Sequence, residues 1–529
     1  MSCCGHVILA GMPVCPPIPR KNDPLVQEFL AKHSNSNKQD QDAATKQKPI
    51  VIIGAGATGV FAAASLERMG ITNYLVLEAS DRIGGRLKDT TGVVKSVLGS
   101  SSTHSSSSND NETDATAGSL FLNGDIALDL GAEWIHANNG QKVVEDMLVF
   151  NSDDYREQQA QQGQENSYAI NSNKRFSPLL EDSNFIAYNP TWYFRQRKVS
   201  VLQWVYQETK WNRSTWFQYL NESLIDSSSS SPSESETANA TSSYNYNDDS
   251  TLVPMDKIRL NAPVTNMVYN SNNSDGNRFS TITLDIANGN GTEQIVASKV
   301  ICTIPLAVLK TKLPTATAPQ PDSVSSSSSS PFFQPPLSKH KAEAIERVRM
   351  PGGYRILFEM ETKFYPDVTS YDTLWSGLWS GRLGQGDLTL VYDPLYGKTT
   401  TQTQNHHSVL AFVAIGPHHA ALSEDSNNTD DTLVRDALQK IDELFDGRGS
   451  TNYRSHVIQN WTREPYVLGA YSFDDATKQD RIALGGSEYD GNLLFAGEHT
   501  SSDFFSMVTG AAMEGRRAAV EAVTGKRSS

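Results

Sequence analysis

The sequence predicts an α/β fold, mixed with α+β elements, that begins with a parallel βαβ unit. Residues 50–86 read IVIIGAGATGVFAAASLERMGITNYLVLEASDRIGGR. The apolar run 50–53 is typical of a buried parallel strand, and the glycine pattern GAGATG of residues 54–59 opens an Ala-rich helix. A second apolar strand, 74–77, ends on Glu78. This order is typical of a Rossmann-like dinucleotide-binding unit.

The glycines of this unit have separate roles in dinucleotide binding. Gly54 permits a tight turn, Gly56 lets the backbone approach a pyrophosphate, and Gly59 lets helix and strand pack closely. The Ala-rich helix follows this pattern and extends to about Met69, and the free N–H groups and partial positive charge at its N-terminus favour phosphate. Glu78 is placed to accept hydrogen bonds from ribose hydroxyls. An ordinary glycine-rich turn is the alternative, and the surrounding strands and acid disfavour it.

Later elements follow from apolar alternation and helical spacing. The runs with strand character are 258–261, 264–269, 279–286, 300–305, 354–360, 409–415 and 493–496. The runs between 258 and 305 predict a β-meander with hairpins. An apolar stripe predicts a helix near 433–445, and a closing helix is predicted to start near Gly510. The aromatic-rich region 141–222 is predicted to be mixed and partly helical.

Composition limits the class of protein. The chain has 529 residues, enough for two or three domains, and a net charge of −15 that argues against a nucleic-acid partner. No apolar run approaches membrane-spanning length, and no metal site is predicted. The chain has only four cysteines, which predicts no disulfide framework and a reducing, cytoplasmic location, with secretion or an organelle left open. The oligomeric state is not predicted.

Low-complexity composition marks the parts outside the core. Residues 1–47 are predicted to be a flexible leader. Three Ser-rich tracts lie near 96–117, 224–250 and 322–330. Since such tracts cannot bury a core, we predict that they are surface insertions or disordered loops.

Several short motifs resemble those of a known family. Asp81 to Arg86 add a second glycine turn, flanked by two arginines, to the βαβ unit. The other runs are LGAEWIH at 130–136, IRLNAPV at 258–264, CTIPLAVLK at 302–310, WTREPY at 461–466, GAYS at 469–472, FAGEHT at 495–500 and VTGA at 508–511. In this order they resemble the flavin-containing amine oxidases. The runs around His136 and Met507 most resemble polyamine and spermine oxidases.

The resemblance implies how the chain is divided. It predicts a Rossmann-like FAD-binding domain of the amine oxidase type, assembled from 48–140, 253–311 and 456–525. The intervening segments, 141–252 and 312–455, would form a discontinuous substrate domain.

The resemblance also implies contacts to FAD. Arg82 and Arg86 would wrap the diphosphate, the Val264 backbone would bind the adenine, and Glu498 would receive ribityl or backbone donors. The helix after Val508 would direct its N-terminus to the N1–C2=O edge of the ring, where reduced flavin carries negative charge. The predicted cofactor-binding residues are Gly54, Gly56, Ala57, Gly59, Glu78, Ala79, Arg82, Gly85, Arg86, Gly131, Ala132, Glu133, Trp134, Val264, Trp461, Gly497, Glu498 and Val508.

Two positions expected near the flavin depart from the family pattern. Monoamine oxidases carry the flavin covalently on a cysteine, and Ala470 occupies the matching position here, so we predict non-covalent FAD. Many family members have a lysine near flavin N5, and the alignment places Arg355 there. Arginine keeps the charge but does not deprotonate. Two roles are open for Arg355, one attracting superoxide or anchoring water, the other forming a structural salt bridge.

The residues expected at the substrate follow from the same comparison. Tyr471 matches one of two aromatics that sandwich the amine, and the other position falls on or near Met507, beside Ser506. This favours a linear polyamine over a compact arylalkylamine. His136 would lie near the substrate path, where a neutral imidazole can hydrogen-bond an amine, unless it is merely structural. We predict catalytic roles for His136, Arg355 and Tyr471, and substrate contacts for His136, Tyr471, Ser506 and Met507.

The predicted reaction is FAD-dependent oxidation of spermine, spermidine or their acetylated forms. The resemblance implies hydride transfer to flavin N5, hydrolysis of the imine, and O2 as the acceptor that yields H2O2. Three alternatives remain open: an L-amino-acid oxidase with Lys88 as a weak candidate for the carboxylate partner, a histone-demethylase-like chromatin protein, and a non-catalytic flavin-binding relative. Whether the exo or the endo side of the secondary nitrogen is oxidised is not predicted.

Overall fold

In a computed structural model of the chain, the structure describes a large core with several gaps. The described residues are 18–19, 21–34, 48–98, 127–135, 185–188, 191–194, 199–203, 208–211, 215–226, 252–271, 280–289, 291–314, 331–365, 377–379, 387–395, 408–473 and 476–527. His136, most of the predicted leader, and most of the three Ser-rich tracts lie outside these residues.

The described strands and helices are numbered in chain order. The strands are β1 Ile50–Ile53, β2 Tyr74–Leu77, β3 Trp134–Ile135, β4 Phe185–Tyr188, β5 Thr191–Phe194, β6 Val199–Gln203, β7 Glu208–Trp211, β8 Ile225–Asp226, β9 Val253–Pro254, β10 Ile258–Arg259, β11 Val264–Asn270, β12 Thr281–Asn288, β13 Gly291–Ala297, β14 Lys299–Cys302, β15 Phe333–Gln334, β16 Gly353–Met360, β17 Gly377–Trp379, β18 Leu388–Tyr392, β19 Ser408–Ile415, β20 Tyr453–Asn460 and β21 Leu493–Phe495. The helices are α1 Pro24–Ser34, α2 Ala57–Arg68, α3 Trp216–Leu224, α4 Leu306–Thr311, α5 Lys339–Arg347, α6 Pro417–Glu424, α7 Asp430–Phe445, α8 Arg448–Asn452, α9 Lys478–Gly485 and α10 Val508–Thr524.

A five-stranded parallel sheet in the order β10-β2-β1-β14-β21 carries the predicted βαβ unit. All four residues of β1 are buried, as its apolar sequence predicts. Helix α2 packs against α10, the last helix of the chain. The α/β fold class and the βαβ unit are therefore confirmed, and strands distant in the sequence meet in one sheet.

The predicted β-meander is confirmed only in part. Strands β11, β12 and β13 are consecutive and antiparallel, and they form a sheet with β15. The next strand, β14, was predicted to continue the meander, which is wrong: it pairs in parallel with β1 and β21. Strand β14 is apolar and mostly buried, so burial between parallel neighbours explains its composition better than a hairpin does.

A seven-stranded sheet, β20-β16-β19-β18-β17-β5-β6, forms the other large layer. Every residue of β16 is buried between β19 and β20. The apolar stripe of α7 belongs to the same core cluster as β16 and β19. Arg355 therefore lies on a strand that is paired with another strand along each of its two edges.

Part of the predicted flexible leader is ordered, so that prediction is wrong for residues 24–34. They form α1, whose Val26 and Phe29 are buried in the core cluster that also contains α2 and α10. Burial of these two apolar side chains offsets part of the entropy lost when such a segment is ordered. Among the described residues, no helix has the length and apolar character needed to cross a membrane.

Candidate functional site

The first glycine turn has the tight geometry that its sequence requires. Gly54 has a φ of +105°, a region that favours glycine, and its N–H donates to the Leu77 carbonyl at 2.7 Å. A Cβ on Gly59 would lie 1.9 Å from the Gly54 carbonyl oxygen. The start of α2 therefore packs directly against the turn that leaves β1.

A second glycine turn faces the first one. Gly84 donates its N–H to the Ala55 carbonyl at 2.9 Å and forms an isolated bridge with Gly56. A Cβ on Gly56 would meet no protein atom closer than 3.8 Å. Gly56 is also the N-cap of α2 and provides no side-chain cap. The two turns and the helix N-terminus thus form a backbone cradle that a Cβ would partly fill, and this fits a pyrophosphate.

Glu78 is fixed beside this cradle. One carboxylate oxygen accepts from the Ala55 N–H at 2.7 Å, and the other accepts from the N–H and hydroxyl of Ser80 at 2.9 and 2.7 Å. The Glu78 carbonyl accepts from Ala262 at 2.8 Å, which brings the segment before Val264 to the same edge. The predicted ribose and adenine contacts therefore lie at one end of the parallel sheet.

The two arginines of the second turn bind protein groups. Arg82 donates to the Gly85 carbonyl at 2.7 Å and lies 3.5 Å from Glu464, so it holds its own turn in place. Arg86 Nη1 donates to the Ala470 carbonyl at 2.9 Å and to Glu498 Oε1 at 2.8 Å. These contacts give both arginines a linking role, and their predicted contact with the diphosphate stays a prediction.

Glu498 is a buried carboxylate with several donors. Besides Arg86, it accepts from the Ser472 N–H at 3.1 Å, the Ser472 hydroxyl at 2.7 Å and the Ser506 N–H at 2.7 Å. Burial raises the pKa of the Glu498 carboxyl, but Arg86, His499 and the hydrogen bonds outweigh burial and lower it to about 2. Glu498 is therefore ionised at neutral pH.

The segment predicted to pass the flavin ring lies against the second turn. The Lys88 carbonyl accepts from the N–H groups of Leu130 and Gly131, and the Gly131 backbone lies directly against the Arg86 carbonyl. Trp461 donates its indole N–H to the Leu130 carbonyl at 3.1 Å. Trp461 thus holds this segment in place.

Arg355 closes a buried network with this segment. Its Nη2 donates to Glu133 Oε2 and to the Tyr392 hydroxyl, both at 2.5 Å, and its Nη1 donates to the Gly131 carbonyl at 3.1 Å. Tyr392 also donates to Glu133 at 2.5 Å. Burial lowers the pKa of the Arg355 guanidinium, but Tyr392 and Glu133 outweigh burial and the net shift is upward. Of the two open roles, the geometry matches the structural salt bridge.

Residues predicted to meet the substrate lie on two neighbouring loops. Half-buried Tyr471 follows Ala470, which is buried and donates its N–H to the Pro351 carbonyl at 2.9 Å. Met507 is the N-cap of α10, and its side chain makes no capping hydrogen bond. The first backbone N–H groups of the helix, which begins at Val508, therefore receive no side-chain cap from Met507. Ser506 has a φ of +65°, and its hydroxyl donates to the Ser472 carbonyl. Ser506 therefore joins the two loops, and its substrate contact stays a prediction.

Sequence reasoning missed three residues of the site. Tyr392, Ser472 and Arg481 each contact a predicted site residue or its neighbour. Ser472 belongs to a quoted motif, but no local signal marks Tyr392 or Arg481. Among the described residues, no group of three or more His, Cys, Asp or Glu side chains is suited to a metal ion.

The fold and the site define a dinucleotide-binding protein with a backbone cradle suited to FAD. The model of the family described as flavin containing amine oxidoreductase matches residues 250–523, and a model of an NAD(P)-binding Rossmann-like domain matches residues 52–149. The chain belongs to the flavin containing amine oxidoreductase family, and its cofactor is FAD.

Individual relatives are distant. The chain is 25% identical over 232 residues to the human lysine-specific histone demethylase 2, a match covering 42% of this chain and 24% of that protein. It is 25% identical over 250 residues to the bovine peroxisomal N(1)-acetyl-spermine/spermidine oxidase, covering 43% of each. The chain thus spans less than half of these two relatives. It is also 24% identical over 527 residues to the corticosteroid-binding protein of Candida albicans, covering 90% of this chain and 96% of that protein.

Proposed function

We propose that the protein oxidises linear polyamines, namely spermine, spermidine or their acetylated forms, with O2 as the electron acceptor. The observation that carries this proposal is that Glu498 accepts from Ser472 and Ser506, and so joins the loop that carries Tyr471 to the loop that carries Met507. One aromatic and one flexible thioether side chain suit an unbranched aliphatic chain better than an arylalkylamine. The name of the bovine relative adds support, because it specifies acetylated spermine and spermidine.

When bound, FAD would supply the redox chemistry, which is the capacity to take a hydride from the carbon beside the amine nitrogen and to be reoxidised by O2. The chain provides orientation and electrostatics. The cradle at Gly56 and the N-terminus of α2 would hold the pyrophosphate. The N-terminus of α10, where Met507 provides no side-chain cap, would offer its partial positive charge to the flavin ring. Arg355 fixes the segment beside the ring through Glu133 and Gly131.

A substrate panel tests the proposal. Purified holoprotein is mixed with spermine, spermidine, acetylated polyamines, tyramine and L-amino acids while peroxide release and flavin bleaching are recorded. We expect bleaching and peroxide with at least one polyamine. Bleaching by amino acids alone would show that the substrate class is wrong. In the structure, Lys88 lies 3.7 Å from Glu464, which reduces its value as a carboxylate partner for an amino acid.

A second candidate is a flavoprotein that binds a ligand without oxidising it. The match to the corticosteroid-binding protein supports this candidate, because it extends over most of both chains. The hydrogen bonds of Arg355 also support the second candidate, because its guanidinium donates to protein groups. Equilibrium dialysis with a corticosteroid distinguishes the two candidates. Steroid binding combined with no bleaching by any amine would favour the second.

A further inference from the structure

Two loops carry the residues assigned to the amine. The Tyr471 loop comprises residues 470–473, and the Met507 loop comprises residues 504–507. Arg481, on α9, contacts both loops: it donates to the Ser472 hydroxyl at 2.9 Å and to the Phe473 carbonyl at 2.6 Å. Its guanidinium carbon lies 3.9 Å from the centroid of the Phe505 ring. One side chain, only 1% exposed, thus joins the two loops.

Glu498 joins the same loops from another side. Its carboxylate accepts from Ser472 in the Tyr471 loop and from Ser506 in the Met507 loop. The Ser472 hydroxyl donates to Glu498 and accepts from Arg481, so the two opposite charges share one hydroxyl. Arg481 also donates to the His499 carbonyl at 3.1 Å. The result is a continuous polar chain through both loops.

The chemistry of these groups makes the connection rigid. A guanidinium has a planar set of donors, so Arg481 holds three acceptors and an aromatic face in a fixed arrangement. Ser506 has a left-handed φ that is costly for a residue with a Cβ, and its N–H bond to Glu498 stabilises it there. Buried charges of this kind are expensive to leave unpaired. The spacing between the loops is therefore set by Arg481 and Glu498 together.

We propose that Arg481 is a positioning residue that, with Glu498, fixes the gap between Tyr471 and Met507 and so selects unbranched amines over bulky ones. This inference rests on the proposed function, since that proposal assigns the two side chains to the amine. Arg481 itself lies behind the loops and acts through Ser472, Phe473 and Phe505. A purely local role in holding α9 is the competing explanation.

The first test measures amide hydrogen exchange in both loops of the holoprotein. The Arg481→Met variant replaces the guanidinium with an apolar side chain of similar length. We expect faster exchange in both loops of this variant. Arg347→Met is the matched control, because Arg347 is half-exposed and contacts α9 through the neighbouring Asp480 at 2.7 Å. The control should leave both loops unchanged. Wild-type exchange of the Met507 loop in Arg481→Met would overturn the proposal, as would equal acceleration in the control.

The second test measures substrate discrimination. In Arg481→Met, the ratio of kcat/KM for spermine over that for tyramine should fall by about tenfold or more, since a relaxed gap admits the aromatic amine. An unchanged ratio would overturn the proposal. If Arg481→Met does not fold, Phe505→Leu removes only the ring contact and should speed exchange in the Met507 loop alone. If the wild type oxidises no amine, the proposed function fails, and the exchange measurement still decides the role of Arg481.

Discussion

Arg86 Nη1 lies 2.8 Å from Glu498 Oε1, although the two residues are 412 positions apart in the chain. The first belongs to the second glycine turn, and the second follows β21, the last strand of the parallel sheet. Their ion pair joins the beginning and the end of the predicted FAD domain. Because Glu498 also holds the loops of Tyr471 and Met507, this pair connects the cofactor cradle to the two loops that we propose bind the amine.

The Glu498 carboxylate should make stability depend on acid pH. Its pKa falls from the ordinary 4.5 to about 2, so its contribution is complete above pH 4.5 and is lost as the pH falls toward 2. The linkage corresponds to about 3 kcal/mol of unfolding free energy. Urea unfolding at a series of pH values should show this loss in the wild type and a flatter profile in Glu498→Gln. Glu293→Gln, at an exposed pair with Arg259, is the control and should change the profile much less, because exposed ion pairs contribute little to stability.

Two glycine variants separate cofactor binding from folding. Gly59→Ala places a Cβ 1.9 Å from the Gly54 carbonyl, so it should lower both stability and FAD content. In Gly56→Ala the nearest protein atom to the new Cβ is 3.8 Å away, so this variant should leave the apoprotein stable but strongly reduce the amount of bound FAD. The ratio of flavin to protein absorbance and the urea midpoint provide the two readouts. Gly289→Ala, with open space around its Cβ, is the neutral control. Normal FAD content in Gly56→Ala would contradict the cradle assignment.

The network of Arg355, Glu133 and Tyr392 should be structural. Arg355→Met leaves a buried carboxylate without its cation, and we expect a loss of about 3–5 kcal/mol in unfolding free energy. Tyr392→Phe removes one hydroxyl and should cost about 1–3 kcal/mol. In the matched control, Tyr269→Phe removes an exposed hydroxyl bonded to Asp490 and should cost less. A wild-type urea midpoint for Arg355→Met would show that the network does not stabilise the fold.

The sequence predicted local geometry well. The βαβ unit was predictable because each of its elements has a short-range pattern, and β16 and β19 begin within one residue of their predicted starts. Strand β14 was assigned to the wrong sheet because an apolar run shows burial but not the partner strand. Helix α1 was missed because polar flanks on both sides hide its two buried apolar residues.

The parts of the candidate site formed by residues close together in the sequence were predictable. The parts formed by residues far apart in the sequence were not. The glycine turns and Glu78 follow from spacing within about 30 residues of each other. The Arg86–Glu498 pair and the bond from Tyr392 to Glu133 connect residues 412 and 259 positions apart. No local sequence pattern indicates such pairs, since they depend on how sheets and loops meet in three dimensions. For this reason the sequence left the role of Arg355 open, whereas the structure shows its ion pair with Glu133.

FAD should be bound without a covalent link. Ala470 stands where the family's covalent members have a cysteine, and its methyl side chain provides no attachment point. When holoprotein is precipitated with acid, the yellow colour should stay in the supernatant. A yellow pellet that survives washing would show a covalent bond. A flavin analogue added to apoprotein should also restore the visible spectrum.

We expect the loops that carry Tyr471 and Met507 to present a polyamine to bound FAD. The most direct measurement is anaerobic mixing of the purified holoprotein with spermine, followed by visible absorbance, and then by admission of O2. We predict that the oxidised flavin band disappears in the first step and returns in the second with release of H2O2. A flavin band that stays unchanged with spermine, spermidine and their acetylated forms would contradict the account.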